Sequence, residues 1–162
     1  YDMTVATRLL QRLTREFSID VSPVRSPDER RIAFVSNRDG SPQIFIMDAD
    51  GGNVRRLTLE GNYNTSPAWA PKGKKIAYEG SVNGRFQIFV IGEEGGTPQQ
   101  MTFGGSDHES PAWSPDGRYL AYSVRGYGRS RIEVMNADGQ NPRVLHEGND
   151  GCQSPSWSPR LR

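Results

Sequence analysis

One phrase is written four times in this chain at a fixed interval, and that interval limits the folds open to it. Ser66–Gly80 reads SPAWAPKGKKIAYEG and Ser110–Ser123 reads SPAWSPDGRYLAYS, while Ser22 and Ser154 open the related SPVRSPDER and SPSWSPR. Successive copies begin 44 residues apart, without gaps. The register holds between them. Ile32-Ala33-Phe34, Ile76-Ala77-Tyr78 and Leu120-Ala121-Tyr122 coincide, as do Gln43–Met47, Gln87–Ile91 and Arg131–Met135. So do Asp50-Gly51, Glu94-Gly95 and Asp138-Gly139, and then Leu57-Thr58, Met101-Thr102 and Leu145-His146. A chain with so many positions in phase is a repeat protein.

Each unit reads as four strands. Ala112-Trp113-Ser114 is a short first strand, and Ser114-Pro115-Asp116-Gly117 has type I turn chemistry. Tyr119–Val124 is the second strand, Gly128 (like Gly40 and Gly84) closes a hairpin, and Arg131–Met135 is the third. Asp138-Gly139 turns again before the fourth strand, Arg143–His146. In the middle unit the same pattern predicts strands at about 67–70, 75–80, 86–91 and 98–102. A period near 44 with four strands per unit is the signature of a β-propeller blade, and a lone blade cannot bury both its faces. The prediction is therefore an all-β partial ring of antiparallel blades. Whole blades fall at 22–58, 66–102 and 110–146, the end of another at 1–14, and a closing innermost strand at 154–159.

Trp69, Trp113 and Trp157 recur in this register and are predicted to wedge between successive blades near the ring axis. Three departures stand out. Val24-Arg25 replaces the Ala or Ser followed by Trp of the other units, Asp28-Glu29 replaces Asp-Gly, and Glu133 stands where the others have Phe45 and Phe89. A buried guanidinium needs a partner, so Arg25 is expected to weaken its blade, and Glu133 puts a charge at an apolar site. A rival reading makes residues 8–17 an amphipathic helix, because Leu9, Leu10, Leu13 and Phe17 have helical spacing.

Composition narrows the function classes. The 162 residues carry a net charge of +1 with no long run of one sign, which leaves no electrostatic footprint for nucleic acid or an anionic membrane. Mean hydropathy is −0.71 and the apolar runs are too short for a membrane-spanning helix. Cys152 is the one cysteine, so no internal disulfide can form. The sequence has no nucleophile elbow, H-E-x-x-H pair or phosphate-cradling glycine loop. The expectation is a protein that is no enzyme and takes no cofactor.

The sharpest titratable cluster is Asp107-His108-Glu109, readable as a cation site or as a solvated polar loop. Neighbours on an extended segment point apart, which speaks against converging ligands. Loops entering the innermost strands of a propeller converge at one mouth. Here they are Ile19-Asp20-Val21, Tyr63-Asn64-Thr65, Asp107-His108-Glu109 and Asp150-Gly151-Cys152-Gln153. They differ from unit to unit while strand and turn positions recur, as expected of a mouth that serves an asymmetric protein partner. Tyr63, Asn64, Thr65, Asp107, His108, Glu109 and Gln153 are the candidate contact residues.

With SNRDGSPQIF at Ser36–Phe45 and CQSPSWSPR at Cys152–Arg160, these repeats resemble the TolB family of propellers, over essentially the whole chain. The resemblance implies a six-bladed propeller behind an N-terminal α/β domain. This chain would match its C-terminal half, with Ser154–Pro159 closing the ring. It also implies a non-catalytic role in the periplasmic Tol–Pal system, supporting outer-membrane integrity and cell division. The family's partner at the mouth is Pal, the peptidoglycan-associated lipoprotein. Its contacts carry over onto Tyr63, Asn64 and Thr65, and onto His108 and Glu109. TolA meets the family through an N-terminal segment absent here. Two other functions fit the repeats. One is the gating propeller of a prolyl-oligopeptidase-type serine peptidase, which needs a hydrolase segment after the last blade. The other is a sugar-active propeller enzyme, which needs several pore-directed histidines where this chain offers His108.

Overall fold

The computed structural model describes residues 2–4, 9–148 and 151–158, with side chains from residue 11 onward. Three four-stranded antiparallel sheets follow one another along the chain. The first holds β3 (Asp20–Arg25), β4 (Arg31–Ser36), β5 (Gln43–Asp48) and β6 (Arg55–Arg56). The second holds β7 (Asn64–Trp69), β8 (Lys75–Val82), β9 (Arg85–Gly92) and β10 (Gly95–Gln100). The third holds β11 (Asp107–Trp113), β12 (Tyr119–Gly126), β13 (Arg129–Asn136) and β14 (Arg143–Gly148). Ahead of them, β1 (Asp2–Thr4) pairs with β2 (Leu9–Gln11). The rival helix is thereby overturned: Leu9–Gln11 is strand and residues 12–19 form no helix, while Arg8 lies outside the described residues. Leu9–Gln11 spends its backbone groups on pairing with Asp2–Thr4, and Phe17 is fully exposed, so no apolar helix face exists.

Every sheet is a meander with its first strand innermost. The Ser-Pro pair that opens each phrase lies inside that strand, which begins ahead of it. Pairing runs Thr65↔Glu79 and then Ala68↔Ala77, so three steps on one strand oppose two on the other. The same one-residue bulge occurs at Val21/Val24 and at Glu109/Ala112. Proline has no N–H to give the ladder, so pairing must break there. The serine before it takes up the slack in the left-handed region, with φ of 52°, 53°, 55° and 49° at Ser22, Ser66, Ser110 and Ser154. The first strands consequently begin at Asn64 and Asp107, three residues earlier than predicted in the middle blade.

The fourth strand of that blade is also displaced, to Gly95–Gln100. A tight turn pairs Gly95 with Gly92 at once. At the far end Thr102 leaves the ladder, because its hydroxyl Oγ1 accepts the Ile88 N–H at 2.8 Å in place of a backbone carbonyl. Thr58 does the same for the Ile44 N–H at 3.0 Å. His146 stands in this position in the third blade, and there β14 stays in the backbone ladder as far as Gly148.

Between blades the contact is apolar. Ala33, Val35, Ile44, Ile46 and Leu57 of the first blade bury against Trp69, Ile76, Tyr78 and Ile91 of the second. Ala77, Ile88, Val90 and Met101 repeat this against Leu120, Tyr122, Val124 and Met135 of the third. Each tryptophan adds one directional bond. The indole N–H of Trp69 donates to the Val24 carbonyl at 3.1 Å, that of Trp113 to Ala68 at 3.2 Å, and that of Trp157 to Ala112 at 2.9 Å. Every donor reaches a carbonyl 45 residues earlier. Trp69 is buried; Trp113 and Trp157 are half-buried. Ser154–Ser158 thus takes the place of a first strand without being laddered to a neighbour; Pro159 lies outside the described residues.

The departures from the repeat have structural answers. Arg25, at the end of β3, remains exposed and reaches the Glu29 carbonyl, so its guanidinium is not buried. In the turn Ser26–Glu29 the hydroxyl of Ser26 donates to Asp28 at 2.6 Å, as Ser114 does to Asp116. Glu29 sits at φ 60°, where the other two turns place Gly73 at 67° and Gly117 at 71°. A side chain in this region costs about 1–2 kcal/mol, of which glycine's extra unfolded-state freedom returns part. Glu29→Gly is therefore expected to stabilise the protein by up to about 1 kcal/mol, read as a rise in the urea midpoint.

Candidate protein-binding face

Antiparallel alternation sends the starts of β3, β7 and β11, the hairpins after β4, β8 and β12, and the crossings between blades to one end of the sheets, here called the entry end. All seven candidate residues lie at or near it, in very different settings. Tyr63 is 42% exposed, its ring edge-on to Phe86 at 5.6 Å. Asp107 accepts the Phe86 backbone N–H at 3.0 Å and an Arg85 N–H at 3.2 Å. Tyr63 and Asp107 therefore gather on Phe86 from opposite sides of the seam between blades two and three. Thr65 and Glu109 are half-buried; Glu109 accepts an Arg125 N–H at 3.1 Å. Gln153 is exposed.

Asn64 and His108 are enclosed. The Asn64 amide donates to Gln43 Oε1 at 2.7 Å and to the Glu60 carbonyl at 2.8 Å, and Thr58 Oγ1 donates to the same Gln43 oxygen at 2.8 Å. This triangle ties the first blade to the second. One seam later Gln87 Oε1 accepts from Thr102 at 2.9 Å in the same way, but His108 stands in Asn64's place. His108 is 7% exposed and its Nδ1 has no hydrogen-bond partner. Its ring lies 5.7 Å from that of Tyr122, whose hydroxyl donates to Glu133 Oε2 at 2.8 Å. Arg131 Nε closes the group on Glu133 Oε1.

Burial holds the His108 imidazole below the ordinary histidine range, against the opposing pull of the Glu133 and Asp107 carboxylates and with Arg131 adding to the depression. A base whose pKa is depressed on folding takes up protons more readily when unfolded. Stability is then complete above the unfolded value near 6.5 and is lost as pH falls below it, through the folded value. His108→Asn is expected to remove this acid-sensitive component and to give Gln87 the bond that Gln43 has. Denaturant midpoints of both proteins measured from pH 7.5 to pH 5 check this; parallel curves would refute it.

Glu79 is a second buried titratable group, 5% exposed, and burial raises its pKa against the hydrogen bonds of Ser110 and Ser66. Its Oε1 accepts the Ser110 N–H at 2.6 Å, so the carboxylate of one blade clasps the bulge of the next. Among the described residues no group of three or more His, Cys, Asp or Glu side chains could hold a metal ion. No helix there is long and apolar enough to cross a membrane.

The seven candidates do not include the most exposed apolar residues of this end. Phe17, Ile19, Leu59, Phe103 and Tyr127 are between 66% and 112% exposed. Leu59 and Phe103 were legible as apolar residues directly after the Leu-Thr and Met-Thr that end two blades. Tyr127 precedes a hairpin glycine where the other blades have Asn83 and Asp39.

The TolB beta propeller domain family (PD40) matches residues 1–161. The chain belongs to this family. The structure of TolB from Acinetobacter baumannii superposes with a TM-score of 0.83 at 31% identity, over 98% of this chain and 40% of that one. A TolB homolog of Chlorobium luteolum is 47% identical over 47 residues, 29% of this chain and 11% of the homolog. The Tol-Pal system protein TolB of Bordetella pertussis is 46% identical over 44 residues, 27% of this chain and 10% of that protein. The sequence here thus matches about a tenth of the length of these two relatives. A prolyl endopeptidase at 20% identity and a TM-score of 0.63 shares the propeller fold alone. This TolB-family chain is an all-β propeller piece of open, unclosed arrangement.

Proposed function

We propose that the entry end of this TolB-family propeller docks a folded protein of the Tol–Pal system, by family the lipoprotein Pal, without catalysing a reaction. The observation that carries the reading is the distribution of exposed apolar side chains. Among the described residues, Phe17, Ile19, Val21, Leu59, Tyr63, Phe103 and Tyr127 are exposed at or near the entry end, whereas Val54 stands at the opposite end and Val144 and Leu145 lie along the outer strand β14. Interspersed with the Arg85–Asp107 and Arg125–Glu109 ion pairs, these side chains give the entry end the mixed apolar and polar composition of a protein interface. Tyr63, Thr65, Glu109 and Gln153 supply contacts, while Asn64 and His108 lie beneath and set the blade-to-blade geometry. The setting that goes with this reading is the periplasm, and the role is support of outer-membrane integrity and cell division.

Calorimetric titration of purified Pal into this protein tests the reading. The Tyr63→Ala/Thr65→Arg variant is expected to fold normally and bind at least about tenfold more weakly. Equal affinity in a folded variant would remove the entry end as the docking face, and absence of binding by the unsubstituted protein would remove Pal as the partner.

A further inference from the structure

Between the second and third blades the entry end carries an open groove of about 610 Å³, within the range of small-ligand sites. Phe103 and Tyr127 stand over it, 70% and 91% exposed. Asn83, Arg85 and Gln100 line it with amide and guanidinium groups. We propose that this groove binds a neutral oligosaccharide, with pyranose rings laid against Phe103 and Tyr127.

The groove is shaped by backbone choices that drift does not favour. Tyr127 occupies φ 53°, a conformation unfavourable for a bulky residue, where the preceding blade has Asn83, a residue suited to it. Its hydroxyl would lie 3.1 Å from a Cβ at Gly105, so glycine there leaves room for the ring as placed. A Cβ at Gly126 would meet Ser106 Oγ at 2.6 Å, so glycine again lets the hairpin close on the loop. The equivalent seam between the first and second blades lacks both aromatics, having Leu59 and Asn83 at the matching positions.

The ligand class follows from what the groove can and cannot satisfy. An anion would find Arg85 already engaged by Asp107 at 3.2 Å. A cation would find no carboxylate among the lining residues. A purely apolar group would desolvate the amide of Asn83 and the oxygen of Gln100, whose Nε2 donates to the Thr102 carbonyl at 2.8 Å, without replacing their water, at a cost of about 1–3 kcal/mol each. A pyranose meets both demands, since its C–H faces lie against aromatic rings and its hydroxyls exchange hydrogen bonds with amides that both donate and accept.

The test is saturation-transfer NMR with cellotriose and with chitotriose, two neutral β-1,4-linked trisaccharides, added to this protein. Saturable binding is expected with at least one of them. Tyr127→Asn, which keeps a residue suited to the turn, and Phe103→Ala are each expected to weaken it at least about tenfold. Phe17→Ala, at the same end but on another blade, is expected to leave it unchanged. Failure of both sugars to bind up to on the order of 10 mM overturns the proposal. So does binding that survives both groove substitutions, or that is lost with Phe17→Ala. Because Pal is absent from the experiment, the outcome is independent of the docking face proposed above.

Discussion

Trp69→Ala is expected to destabilise the protein by about 3–5 kcal/mol, the range for deleting a large buried aromatic side chain. Trp69 is 7% exposed and packs into the cluster that joins the first two blades. Its loss leaves a cavity and also orphans the Val24 carbonyl, which accepts the indole N–H. Trp113, half-buried in the next seam with the same bond to Ala68, is expected to cost less when truncated. Since small domains are held by about 5–15 kcal/mol, Trp69→Ala brings this protein close to unfolding at ambient temperature. Urea denaturation followed by far-ultraviolet circular dichroism reads the difference. An unchanged midpoint for Trp69→Ala, or a larger loss for Trp113→Ala, would contradict the assignment of Trp69 as the main wedge.

Glu133→Ala is the second large effect, expected at about 2–3 kcal/mol. It removes the acceptor of the buried Tyr122 hydroxyl, and an unpaired buried polar group costs about 1–3 kcal/mol; the partly exposed Arg131 also loses its partner, at smaller cost because water can solvate it. The other two blades show what the site looks like without charge. Phe34 faces Phe45 with ring centres 5.9 Å apart, and Tyr78 stacks on Phe89 at 5.6 Å. Replacing both partners by apolar groups removes the need for the bond. Tyr122→Phe/Glu133→Phe is therefore expected to recover most or all of the lost stability. A double-mutant cycle measures this, and a double variant weaker than either single one would show that the aromatic pair does not fit this seam.

Much of the architecture was legible in the sequence because it rests on periodic demands. Every blade needs small Ala33, Ala77 or Ala121 between bulky neighbours, and every seam needs an inner-strand wedge, so those letters recur. What escaped reading depends on geometry that periodicity does not encode. That the Ser-Pro pair forms a bulge within the first strand follows only from the pairing of Thr65 and Ala68 with β8. The end of the fourth strand escaped too, because a threonine hydroxyl there does the work of a backbone carbonyl. At the candidate face, variability between repeats singled out residues that lie at one end of the blades but could not separate their depth. Asn64 and Tyr63 are adjacent in sequence, yet one is 2% and the other 42% exposed. Glu133 was legible as a charge among aromatics; that Tyr122 and Arg131 share it was not.

The indole-to-carbonyl bonds all point one way along the chain, each blade's tryptophan reaching back to the blade before it. Order is therefore handed down a line of neighbours, as in a one-dimensional lattice with nearest-neighbour coupling. The second blade is held on both flanks, by Trp69 reaching out and Trp113 reaching in. Melting should begin where a unit has one neighbour fewer and travel inward like a zip. Amide hydrogens of β8 and β9 should be the last to exchange, and those of β14 among the first.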